Sequence, residues 1–135
     1  MTEEGPPVMS DAEREVLKVL WDHGPLAVRD VVRHLAETGQ CWARSTVITL
    51  LQRLEKKGYV ASDKSQFAFV FRPILSREDV MRSRMNDLAG ELCDGDALPL
   101  VLAFAERHQF SPKELARFRQ MIDDLEAKRG KRGPR

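Results

Sequence analysis

Three helix-spaced apolar patterns, two strand-like runs around a polar turn, and helical periodicity from there to the end predict a mainly α chain with a small β-hairpin. In that order the elements make a winged helix-turn-helix domain over 10–75, followed by a helical dimerisation region over 76–128. A flexible tail at 1–9 and a basic, disordered tail at 129–135 are expected to flank them. The 135 residues suffice for one small domain with an appended helical module, and 42% apolar with 32% charged residues is a globular composition.

Gly5, Pro6 and Pro7 block regular structure at the start. Ser10 and Glu13 then have the spacing of a capping box: the hydroxyl serves free amides of the first turn while the carboxylate reaches back. The first helix is expected over 11–22, with Val16, Leu17, Leu20 and Trp21 as its buried stripe, and Gly24-Pro25 stops it. Leu26-Ala27 is long enough only for a bridging strand. A second helix begins at Val28, turns Val31, Val32 and Leu35 inward and Arg29, Asp30, Arg33 and Glu37 outward, and ends near Gly39.

The stretch 42–58, WARSTVITLLQRLEKKG, organises the rest. Val47, Leu50, Leu51 and Leu54 recur at the three-and-four spacing of one helical face, which belongs in a core. Arg44, Ser45, Thr46, Ile48, Thr49, Gln52, Arg53 and Lys56 fall outside that face. Hydroxyls, an amide, cations and one aliphatic group are the side chains that reach base edges and phosphates in a DNA major groove. Two helices joined by a short turn make a helix-turn-helix, although a three-helix bundle with a solvated face has the same periodicity. The continuation favours the former. After Gly58, residues 59–61 and 67–71 read as strands, so Lys64, Ser65 and Gln66 sit at the tip of a wing, and Pro73 closes the second strand.

From Ser76 onward, Met81, Met85, Leu88 and Leu92 follow the four-three-four spacing of a helical seam. After the break at 93–96, Leu98, Val101 and Leu102 line a short helix. Ser111-Pro112-Lys113-Glu114 starts a last helix carrying Leu115, Phe118, Ile122 and Leu125. About sixty residues of short amphipathic helices rarely bury all their apolar surface alone, and exchange with a second copy solves that. A homodimer is expected.

The net charge is only +1, and residues 1–75 carry ten basic against ten acidic side chains, so charge must be segregated to matter. Within 40–60 it is: Arg44, Arg53, Lys56 and Lys57 face Glu55 alone. Cys41 and Cys93 lack ligand spacing and read as reduced thiols, and His23, His34 and His108 form no metal-binding pattern. No metal, cofactor or catalytic constellation is expected. The acidic N-terminus and the absence of a long apolar run point to a cytoplasmic protein without membrane insertion.

The segments EREVLKVLWDHGPLAVRDVV and W-x-x-x-TV-x-TLLQRLEKKGYV, and the FRP at the hairpin's end, together resemble the penicillinase and methicillin-resistance repressor family (BlaI/MecI), over nearly all of 10–125. The resemblance implies a dimeric winged-helix repressor of antibiotic-resistance genes that binds palindromic double-stranded operators with TACA/TGTA half-sites, with Thr46, Thr49 and Arg53 at the DNA. It also implies release by a membrane sensor protease that cleaves the C-terminal region, the matching bond being Ala103-Phe104. Several positions depart from the pattern. Ala43 replaces the usual capping hydroxyl, Arg44 and Ser45 replace Pro and Lys, Ile48 stands at a commonly polar place, and Gln66 and Phe67 replace Gly-Arg. The cysteine cluster of copper-responsive relatives is absent. Two other readings of the same exposed face are a protein-interaction module and a small-molecule-responsive regulator.

Overall fold

The structure, a computed structural model, describes residues 5–64 and 69–132. Its elements run α1 (Asp11–His23), β1 (Leu26–Ala27), α2 (Val28–Glu37), α3 (Arg44–Lys56), β2 (Val60–Asp63), β3 (Val70–Pro73), α4 (Arg77–Leu92), α5 (Leu98–Arg107) and α6 (Pro112–Arg132). The fold is therefore mainly helical with a small antiparallel sheet, as the sequence predicts, and the sheet has the order β1-β3-β2. The bridging pair Leu26-Ala27 is a strand in its own right, with Leu26 opposite Phe71 and Ala27 opposite Val70. On the other side of β3, Val60 pairs with Pro73 and Asp63 with Val70. Pro73 is tolerated because it ends the strand, where a missing amide costs no interior ladder bond.

The core lies where α1, α2 and α3 meet the sheet. Val16, Leu17 and Leu20 of α1, Val31 and Leu35 of α2, and Val47, Leu51 and Leu54 of α3 are essentially inaccessible, joined by Tyr59, Val60 and Phe71. Trp21 is half-buried: its ring covers the core edge while its indole Nε1 donates to the Leu75 carbonyl at 2.9 Å. That bond anchors the end of the hairpin to α1. Helix α1 leaves through Gly24 (φ 81°) and α3 through Gly58 (φ 88°), turns in the left-handed region that only glycine enters without strain. At the α1–α2 corner the rings of His23 and His34 stack with centroids 3.7 Å apart.

The capping box of α1 forms as read: Glu13 N–H donates to Ser10 Oγ, and Ser10 N–H donates to Glu13 Oε1 at 2.8 Å. The carboxylate then does a second job. Glu13 is buried, and Lys57, just past the end of α3, donates its ammonium to the same Oε1 at 2.8 Å and to the Val8 carbonyl at 2.9 Å. Burial pushes the Glu13 carboxyl up, but Lys57 and the Ser10 amide and hydroxyl outweigh it and hold the group below the ordinary glutamate range.

Two boundaries differ from the sequence expectation. Residues 7–9 are not a loose tail: the Tyr59 hydroxyl donates to the Pro7 carbonyl at 2.6 Å, and Met9 is buried in the core cluster. At the other end, α6 continues through Arg132 rather than fraying at 129. Helices α4 and α6 begin with the boxes Ser76/Asp79 and Ser111/Glu114. Val80 and Ala89 are the buried residues of α4, and α5 has none. Among the described residues no helix is long and apolar enough to cross a membrane.

Lys57→Met leaves Glu13 buried without its counter-charge and is expected to cost about 2 to 3 kcal/mol. Because the folded carboxyl titrates below its unfolded value, its contribution is complete above that unfolded value and is lost as pH falls through the lower folded one. Urea midpoints should therefore fall below about pH 4 in the parent chain and less steeply in Glu13→Gln. An acid limb equally steep in both would remove Glu13 as its source.

Candidate nucleic-acid interface

Helix α3 presents its candidate residues outward because its other side is fixed. The apolar stripe Val47, Leu50, Leu51 and Leu54 is buried against α1 and α2, so the helix has no freedom to roll. With about 100° per residue, the outward residues then divide into three strips. Ser45, Thr49, Gln52 and Lys56 point directly away from the core. Arg44, Ile48 and Glu55 lie on the edge toward the sheet, and Thr46 and Arg53 on the edge away from it. All of these are exposed except Ile48, which is half-buried against the core.

The sheet-side edge is one wall of a groove of about 650 Å³, closed by the start of α2 and by β2 and β3. Arg44, Ile48, Gln52 and Glu55 line it from α3, Arg29 from α2, and Ser62, Lys64 and Phe69 from the wing side. Lys64 holds its ammonium 5.4 Å from the centre of the Phe69 ring, a cation–π contact at the root of the wing. Glu55, the lone acid of the stretch, is turned to the protein: it accepts from the Ser62 amide at 3.0 Å and the Ser62 hydroxyl at 2.6 Å. Its charge is thereby engaged in tying the end of α3 to β2, and Arg29, Arg44 and Lys64 give the groove its basic character.

Three further details bear on what this face can do. Ala43 caps α3 with its backbone alone, so no side chain occupies the first free amides of the helix. The Thr49 hydroxyl donates to the Ser45 carbonyl at 3.0 Å, which leaves its methyl and its lone pairs to a partner. Lys57, counted by sequence with the basic cluster, is committed to Glu13 and Val8 and does not belong to the exposed set. Arg29 is the converse case, an outward residue of α2 whose place in the groove depends on how α2 crosses α3. Ser65 and Gln66 lie outside the described residues.

In the C-terminal region, Met81, Met85, Leu88 and Leu92 on α4, Leu98, Val101 and Leu102 on α5, and Leu115, Ile122 and Leu125 on α6 are all exposed in the single chain. Leu92 reaches 70% and Phe104 66%, values far from those of packed core residues. Phe118 is partly covered by an aromatic run in which Phe104 stacks on His108, His108 meets Phe110, and Phe110 meets Phe118 edge-on. Ala103 and Phe104 sit inside α5, exposed at the side chain but with helical backbone. Among the described residues no group of three His, Cys, Asp or Glu side chains is placed to hold a metal ion.

A helix-turn-helix flanked by a three-stranded wing, with a polar, cationic outward face on its second helix, defines the class of winged-helix transcriptional regulators. Comparison with known proteins gives the family. The penicillinase repressor family model matches residues 9–124, and the chain belongs to that family. The penicillinase repressor of Bacillus licheniformis is 31% identical over 118 residues, covering 87% of this chain and 91% of that one. The methicillin resistance regulatory protein MecI of Staphylococcus aureus (strain N315) is 24% identical over 115 residues, covering 85% and 93%. A solution structure of the monomeric Bacillus licheniformis BlaI in complex with the blaP half-operator is 36% identical, covers 57% of this chain and 93% of that one, and has a TM-score of 0.48. The family consists of transcriptional repressors, and the chain is accordingly not an enzyme.

Proposed function

We propose that the chain acts in the cytoplasm as a homodimeric repressor that binds palindromic operator DNA, one recognition helix α3 in each half-site. The observation that carries this reading is the outward face of α3. Ser45, Thr49, Gln52 and Lys56 point away from the core, flanked by Thr46 and Arg53 on one edge and by the basic groove of Arg29, Arg44 and Lys64 on the other. Such a face offers hydroxyl and amide groups to base edges in its middle and cations to phosphates along its borders. Ile48, half-buried at the groove edge, suits a thymine methyl or a sugar better than a phosphate.

Two copies are part of the proposal because the basic footprint of one domain is small and because α4, α5 and α6 leave apolar seams uncovered. Regulation by a membrane sensor protease cutting Ala103-Phe104 belongs to the same reading. The bond lies in an exposed helix without buried residues, where local unwinding is cheap. Intact chain by mass spectrometry after incubation with the activated cognate sensor would remove cleavage and leave DNA binding untouched.

Anisotropy titrations against a duplex selected by the chain from a random pool test the main reading, with affinity expected to fall steeply as salt rises. A face that serves a protein partner instead would bind no selected duplex even at low salt. Arg53→Ala is expected to weaken selected and random DNA alike, whereas Thr49→Ala should lower the ratio between them by about tenfold. Since the Thr49 proton is engaged by Ser45, Thr49→Val separates the methyl from the lone pairs, and an unchanged ratio in both variants would end the base-reading role. Replacing Leu88 and Leu92 together by Asp should give a folded monomer that has lost tight operator binding; a dimer in sedimentation would refute the seam.

A further inference from the structure

The segment 5–9 lies between the end of α3 and α4. On one side it is held by the end of the recognition helix: Tyr59 Oη donates to Pro7, Lys57 Nζ donates to Val8, and the Met9 side chain enters the core. On the other side it lies against α4. A β-carbon on Gly5 would overlap the hydroxyl of Ser83, so the backbone at Gly5 lies directly against the Ser83 side chain of this helix. The Tyr59 hydroxyl, pushed above its ordinary range by burial, also feels Arg84 and Asp87 of α4, the first opposing that rise and the second adding to it. The root of α4 is fixed separately, by Val80 in the core and by Arg77, which pairs with Asp22 at 3.1 Å and lies 5.2 Å from the Trp21 ring.

The contacts of Val80 and Ser83, and the charges of Arg84 and Asp87 that act on Tyr59, fall on one side of α4. At about 100° per residue, Val80, Ser83, Arg84 and Asp87 centre on a single direction, and the apolar seam of Met81, Met85, Leu88 and Leu92 centres about 120° around from it. A helix held only at its root can swivel. Contact with 5–9 one turn further along adds a second point of attachment and fixes the direction in which the seam faces relative to α3.

We propose that residues 5–9 are a strap that sets the angle between the recognition helix and the dimerisation face of α4, and hence the half-site spacing the dimer accepts. The inference rests on the dimeric-operator reading. Residues 5–9 are positioning residues in it and touch no base.

The test uses the full chain, a variant lacking residues 1–8, and Tyr59→Phe, which loses only the hydroxyl held by Pro7. Duplexes selected by the parent chain from a random pool are remade with the half-sites moved together or apart by single base pairs. Each step shifts the second half-site by about 3.4 Å and turns it by about 35°. The parent is expected to prefer its selected spacing over a one-base-pair change by about tenfold, the truncated chain by less than about threefold, and Tyr59→Phe by an intermediate ratio, with affinity for an isolated half-site the same in all three. Sedimentation and circular dichroism establish that each variant is a folded dimer. If the truncated chain does not fold, Tyr59→Phe decides. A folded, dimeric variant that keeps the full tenfold preference overturns the strap. A parent chain that binds all spacings equally, or only as a monomer, instead overturns the dimeric-operator reading itself.

Discussion

The burial of one side of α3 is the constraint on which the rest of the molecule depends. Val47, Leu50, Leu51 and Leu54 leave water together, against Leu17, Leu20, Val31 and Leu35, and each such side chain contributes about 1.5 to 3 kcal/mol. That preference fixes the rotation of the helix about its own axis. Once the rotation is fixed, the direction of Ser45, Thr49, Gln52 and Lys56 follows without any further interaction, because side chains on a helix keep constant angular offsets. The wing adds the second boundary: Glu55 and Ser62 join the end of α3 to β2, so the groove beside the recognition helix has walls that move together.

The pair Glu13–Lys57 extends the same frame to the N-terminal segment. One carboxylate closes the first turn of α1 and receives the ammonium that follows α3, and that ammonium in turn holds the Val8 carbonyl. A buried carboxylate is tolerable only with such partners, since its desolvation is otherwise several kcal/mol. The arrangement withdraws a cation close to α3 from the exposed face of that helix. The basic character of the candidate interface therefore comes from residues spread over three elements, Arg29 on α2, Arg44, Arg53 and Lys56 on α3, and Lys64 beside the wing.

The C-terminal helices stand in contrast to this core. Helices α4 and α6 are well capped, with the boxes at Ser76/Asp79 and Ser111/Glu114, yet the apolar faces of α4, α5 and α6 remain open. Local signals thus suffice to form the helices, while their apolar side chains stay exposed in the single chain. The aromatic run from Phe104 to Phe118 orders the corner between α5 and α6 without covering the seams.

Helix existence and type were legible in the chain because they rest on short-range rules. The three-and-four spacing of apolar residues, Ser10 with Glu13, Gly24 before Pro25, and Gly58 after Lys57 all act within a few residues, and the helices begin and end within a residue or so of those signals. The outward face of α3 was legible for the same reason. The pairing of β1 with β3, the partner of Lys57, the place of Arg29 in the groove and the ordering of residues 7–9 were not, because each depends on contacts between residues about fifteen to fifty positions apart. Sequence alone determined which side chains α3 turns outward, since helical geometry decides that locally. Only the tertiary structure decided which of the cations near that helix remain free to act, since a charge goes to whichever partner packing brings within reach.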